Sequence, residues 1–215
     1  MRTKTLLFSA AVLAAGLTVS VAQSVYSVNA VGYVNIAVGQ GYTLIANPLN
    51  GTNNLLSTVM PAPPDGTVVL KWDATSQSFA APLSYIDGVG WVPDGTVNPG
   101  EGFFINLPTG ASATLTFVGE VPQGASLNNA ISANYSLLSS IVPQSISLAD
   151  PTATFPAVDG DVVLQWDAAT QSFKAPLSYI DGVGWVPSDP TPAVGEGFFY
   201  NSLTARTWTR SFSVN

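Results

Sequence analysis

The sequence predicts an all-β protein: two tandem, internally duplicated units, each a β-sandwich or a partly open barrel, following a signal peptide. Three observations lead there. Apolar and polar residues alternate with a period of two in several segments, as in strands buried on one face. The 16 prolines are spread along the chain, and no stretch sustains a helical period beyond about two turns. Residues 65–94 recur at 159–188 with 24 of 30 positions identical, which makes the chain a duplication.

Taken in order, Arg2 and Lys4 form a basic start, residues 6–17 an apolar stretch, and Ser20 and Ala22 the small residues of a cleavage site. Residues 1–22 are therefore expected to be a signal peptide. The apolar run ending at Ala22 falls short of the roughly 18–20 residues that cross a bilayer, and no later stretch is long enough. The first unit is expected over 23–117 and the second over 118–215.

Within the first unit, Val28, Ala30, Val34, Ile36 and Val38 give one apolar face to a strand over 26–38. Residues 67–72 open on the β-branched Thr67, Val68 and Val69, are bounded by Asp65-Gly66 and Asp73-Ala74, and return through residues 77–79 as a hairpin. Residues 102–106 and 113–118 read as further strands, the latter with Ala113, Leu115 and Phe117 on one face. Short helices are expected at 53–59 and 145–149.

Composition narrows the chemistry. Charged residues make up 9% of the chain, against roughly 25% in an ordinary domain, while 47% is apolar, enough for a real core. Neither Cys nor His occurs, which excludes disulfides, Cys/His zinc sites and His-based nucleophilic triads. Without residues 1–22 the chain keeps four basic residues (Lys71, Lys174, Arg206 and Arg210) against 13 acidic ones, a poor match for nucleic acid.

The repeated motifs supply the candidate residues. Trp72 and Trp166 end strands and are expected to plug the core, with Asp73 and Asp167 closing the turns that follow. Tyr85, Trp91, Tyr179 and Trp185 flank the duplicated Asp-Gly-Val-Gly turn, where exposed rings would form a ligand-binding surface, sugars above all. Glu101 and Glu196, in Gly-Glu-Gly-Phe-Phe, could serve as a glycosidase pair. The favoured reading is a loop-to-strand corner in which each carboxylate takes backbone N–H groups. The Asp159-Gly160-Asp161 run fits no calcium loop. No catalytic, cofactor or metal site is expected.

The segments VYSVNAVGYVN (25–35), YTLIANPL (42–49), Trp72 and the Gly100–Phe104 motif resemble uncharacterised secreted β-rich proteins of verrucomicrobial and planctomycetal bacteria. They also resemble wider extracellular β-modules sharing a Leu-Ile-x-x-Pro, Trp and Gly-x-Gly-aromatic pattern. The second copy departs at Ser139-Ser140-Ile141. The resemblance implies export and no assigned activity. The expected function is a non-catalytic secreted or cell-surface protein of structural or adhesion type, its partners envelope or matrix components or further copies of itself. The alternative is a glycan-binding module.

Overall fold

A computed structural model describes residues 29–214. The expected signal peptide, the first residues after it and Asn215 lie outside the described residues. The first repeat contains β1 (Val31–Val38), β2 (Gly41–Ala46), a single helical turn α1 (Leu56–Val59), β3 (Val68–Asp73), β4 (Ser78–Phe79), β5 (Leu83–Ile86), β6 (Gly90–Val92), β7 (Gly102–Leu107) and β8 (Ala113–Glu120). The second contains β9 (Gly124–Ile131), β10 (Asn134–Leu138), β11 (Val162–Leu164), β12 (Trp166–Asp167), β13 (Ser172–Phe173), β14 (Leu177–Ile180), β15 (Gly184–Val186), β16 (Phe198–Ser202) and β17 (Arg206–Phe212). The molecule is all-β with antiparallel sheets.

Each repeat has two layers. In the first, a main sheet of order β2-β7-β3-β5-β6, with β4 hanging from β3, lies against a two-stranded ribbon of β1 and β8. In the second, β10-β16-β11-β14-β15 lies against β9 and β17, and β12 pairs with β13. The ribbon joins the first and last strands of its repeat. The expected boundary at 117–118 falls inside β8, whose partner is β1. The repeats divide instead at the Val121-Pro122-Gln123 connection. Of the expected helices, 53–59 shrinks to α1. Residues 145–149 form none, and a 3₁₀ turn follows at Pro151–Ala153, where Asp150 accepts the Thr152 N–H at 2.8 Å.

The period of two decides which face each residue takes. On the ribbon side, Ile45, Val69, Phe103, Ile105, Leu115 and Phe117 form the first core. Val163, Leu177, Phe198, Tyr200 and Trp208 do the same in the second. The alternate residues, Leu44, Phe104, Leu137 and Phe199, face the other way and make a third cluster shared by both repeats. A sheet apolar on both faces needs two covers. Here its own ribbon supplies one and the other repeat the second.

The Gly-Glu-Gly corner shows why the repeats fit. Ser139 N donates to Gly100 O at 3.0 Å, and Ala46 N donates to Gly195 O at 2.8 Å, so each corner takes the end of the other repeat's edge strand. A Cβ on Gly102 would lie 2.9 Å from the Leu138 carbonyl oxygen, and one on Gly197 3.0 Å from that of Ile45. Backbone cannot step aside cheaply. Replacing either glycine by alanine is expected to lose about 1–3 kcal/mol in urea unfolding. Gly39→Ala, which meets nothing within 4 Å, should stay near parent stability.

Candidate functional site

Where the two main sheets meet, an aromatic-walled groove of about 460 Å³ opens. Five residues from each repeat line it, in equivalent pairs: Tyr42 and Tyr135, Leu70 and Leu164, Trp72 and Trp166, Phe79 and Phe173, Phe104 and Phe199. The groove therefore sits on the pseudo-two-fold axis of the duplication. Among the described residues no charged side chain lines it.

Each wall is fixed by its strand. Leu70 and Trp72 alternate with core-facing Val69 along β3, and Phe104 alternates with Phe103 and Ile105 along β7. Phe79, at the end of the β3–β4 hairpin, leans edge-to-face on Trp72 with centroids 5.1 Å apart; Phe173 meets Trp166 at 5.0 Å. Contacts also cross between repeats: Trp72 to Phe199 at 5.1 Å and Trp166 to Phe104 at 5.2 Å, both nearly perpendicular. Phe104 and Phe199 form the floor. Phe79 and Phe173 are each 43% exposed and form the rim with Tyr42 and Tyr135.

Trp72 Nε1 donates to Tyr135 O and Trp166 Nε1 to Tyr42 O, both at 2.9 Å. Gln77 donates its amide to Tyr135 O and accepts the Tyr135 N–H, both at 2.9 Å, and Gln171 does the same with Tyr42 at 2.9 and 2.7 Å. Each glutamine side chain thus acts as a strand edge for the other repeat. Both take positive φ to do so. The indole N–H groups are consequently committed to holding the repeats together, and the groove presents ring faces and edges.

The residues expected to bind ligand lie elsewhere. Tyr85 and Trp91 stack edge-to-face at 5.6 Å and are buried in the first core, with Trp91 Nε1 donating to Met60 O at 2.8 Å. Trp185 is buried against Phe155 and Tyr179, the latter half-buried at 5.3 Å. Trp185 Nε1 has no hydrogen-bond partner among the described residues. These rings are turned inward and mutually tilted, so the exposed ring surface expected of them is not formed. The Asp-Gly turns themselves are as read, with Gly88 and Gly182 at positive φ. Trp72 and Trp166 also depart from expectation: they wall the groove between repeats, and do not plug either core.

Glu101 and Glu196 are corner carboxylates. Glu101 accepts Asn98 N–H at 3.3 Å and pairs with Lys71 at 2.7 Å; Glu196 accepts Ala193 N–H at 2.9 Å and the Gln165 amide at 3.2 Å. Asp73 and Asp167 close turns as expected, and the backbone N–H groups of Thr75 and Ala169 hold their carboxyls below the usual range. Asp161, from the run considered for calcium, is buried and bonded to Arg206 Nη1 at 2.5 Å, to Tyr200 Oη at 2.5 Å and to Val158 N at 2.8 Å. Among the described residues no three acidic side chains gather as a metal site would require, and no helix is long and apolar enough to cross a membrane.

The groove was recoverable in part from the sequence. Residues 102–107, Gly-Phe-Phe-Ile-Asn-Leu, are a nearly unbroken apolar run, which is the mark of a strand covered on both faces. Compared with protein-family models, with curated proteins and with solved structures, the chain matches none.

Proposed function

We propose that this chain is a non-catalytic exported protein of structural or adhesion type, acting at the cell surface or in the surrounding matrix. Its contact surface is the aromatic groove on the pseudo-two-fold axis. The basic-apolar-small start of the sequence supports export. The observation that carries the contact role is the groove itself: ten apolar-walled positions, a volume in the range of ligand clefts, and Trp N–H groups already bonded to backbone. A sugar needs several hydrogen-bonding groups beside the rings, and this lining offers at most the two tyrosine hydroxyls of Tyr42 and Tyr135, so it favours an apolar group of an envelope or matrix component over a glycan.

Phe79→Gln with Phe173→Gln tests the reading at the exposed rim. Retention of the purified chain on phenyl-substituted agarose at low salt is expected to fall several-fold, with the melting temperature nearly unchanged. Unchanged retention would overturn the assignment of the groove as contact surface.

A further inference from the structure

The outer edge of β1 is a second surface, separate from the groove. Glu120 exchanges two backbone hydrogen bonds with Asn50, at 2.9 and 2.8 Å, on the side of β8 away from β1. In an antiparallel ladder the N–H and C=O of one residue point to the same side. Glu120 therefore bonds away from its opposite number Val31, and Val31 points its own pair away from β8. By alternation, Tyr33, Asn35 and Ala37 do likewise, while Gly32, Val34, Ile36 and Val38 bond β8. The bond from Val121 N to Ala30 O at 2.7 Å falls in the same alternation.

The edge thus offers four N–H and four C=O groups, and no other described strand pairs with it. Sheet proteins blunt such edges with charge, proline or a bulge, and β1 has none of these over its eight residues. Its outward side chains add apolar surface: Val31 is 69% and Tyr33 73% exposed, and Val118, opposite Tyr33, is 58% exposed. The second ribbon provides an internal comparison. At the equivalent positions β9 carries Gly124, Ser126, Asn128 and Ala130, and its pairing with β17 shifts register between Arg210 and Phe212. The apolar, regular edge belongs to β1 alone among the two ribbons.

We propose that the chain forms a homodimer by antiparallel pairing of β1 with β1 of a second copy, merging two ribbons into one four-stranded sheet. An antiparallel edge is self-complementary, which makes a second copy the fitting occupant. With the two-fold axis at Val34, Val31 lies opposite Ala37 of the second copy and Tyr33 opposite Asn35, and every outward N–H and C=O finds a partner. This rests on the structural reading above for its setting, and not on the groove.

Sedimentation of the full chain over rising concentration is expected to show a monomer–dimer equilibrium. Tyr33→Lys should weaken it roughly tenfold or more by placing like charges on the shared face, while Ser126→Lys, its equivalent on β9, leaves it unchanged. Because the chain has no cysteine, register can be read directly. A mixture of Tyr33→Cys and Asn35→Cys proteins should oxidise to the mixed disulfide in preference to either like pair, since only that pair lies directly opposite. A monomer at all concentrations, equal effects of the two lysines, or like-pair cross-links would overturn the proposal. A dimer lost in the Phe79→Gln, Phe173→Gln protein and kept in Tyr33→Lys would also overturn it, while leaving the groove reading intact. Loss of phenyl-agarose retention alone would bear only on the groove.

Discussion

Asp161→Asn is expected to destabilise the protein by about 3–5 kcal/mol, the loss typical when one partner of a buried ion pair is removed. Asp161 is fully buried and holds the Arg206 guanidinium, the Tyr200 hydroxyl and the Val158 N–H together. The amide leaves a cation facing a neutral group in the second core. The first repeat solves the same position without charge: Thr67, Ile105 and Ala113 stand where the second has Asp161, Tyr200 and Arg206. Transplanting that solution as Asp161→Thr, Tyr200→Ile and Arg206→Ala should therefore be less damaging than Asp161→Asn alone, because replacing a whole buried pair by neutral packing is often near neutral. Urea unfolding of both variants decides it. A triple variant worse than the single change would mean that the network, beyond its charge balance, is needed for packing.

The same network sets a pH dependence. Burial alone would raise the Asp161 carboxyl, but hydrogen bonds from Arg206, Tyr200 and Val158 outweigh it and hold it below the ordinary value. Its contribution is then fully present above the unfolded carboxylate value near about 4, and is lost as pH falls through the lower folded value. Arg206 is shifted up by the same carboxylate and Tyr200 is raised by burial first and by Asp161 second, so neither titrates on this acid limb. The parent should lose stability on acidification below about pH 4 more steeply than the triple variant.

Trp208→Ala is expected to lose about 3–5 kcal/mol as well, by a different route. The indole is fully buried in the second core, stacked edge-to-face on Phe155 at 4.9 Å, and its Nε1 donates to Ala153 O at 2.7 Å. It also lies under the buried Arg210 guanidinium, 5.7 Å from its ring. Burial lowers the Arg210 pKa against the raising charge of Asp150, and the ring face adds to the hydrogen bonds that Arg210 donates to Gln144 at 2.6 Å and to Ser140 at 3.4 Å. Truncation opens a cavity, strands a carbonyl and removes the ring from the cation. Trp208→Leu, which installs the residue that the first repeat has at Leu115, should recover the volume in part but not the hydrogen bond. A fall in melting temperature of roughly 10 °C for the alanine variant, with leucine between, is the expected calorimetric result. A leucine variant as stable as the parent would show that the hydrogen bond and the cation contact contribute nothing net.

Much of the architecture was legible in the residues. The near-identity of 65–94 and 159–188 established two equivalent units, and period-two alternation placed Leu115 and Phe117 of β8 on the inner face. Turn chemistry at Asp73, Asp167, Gly88 and Gly182 was readable because it acts within three or four residues. The candidate site was read less well. Tyr85 and Trp91 sit on strands of four and three residues, too short for alternation to tell inside from outside, and they turned inward. The strand end at 118–120 is hidden for a related reason: the ribbon pairs β1 with β8, about 80 residues apart, and local pattern says nothing about partners at that distance.

By itself, then, the sequence determined the all-β class, the duplication, the turns and the exclusion of Cys and His chemistry, since these follow from composition and from interactions between near neighbours. The tertiary structure alone decided where the repeats meet. Phe103 and Phe104 are adjacent and alike, yet one fills the core of its own repeat and the other the groove floor. That difference arises because strand residues alternate faces while both faces of the main sheet are covered. Which of two apolar faces receives the second repeat depends on a surface that exists only once both repeats have folded.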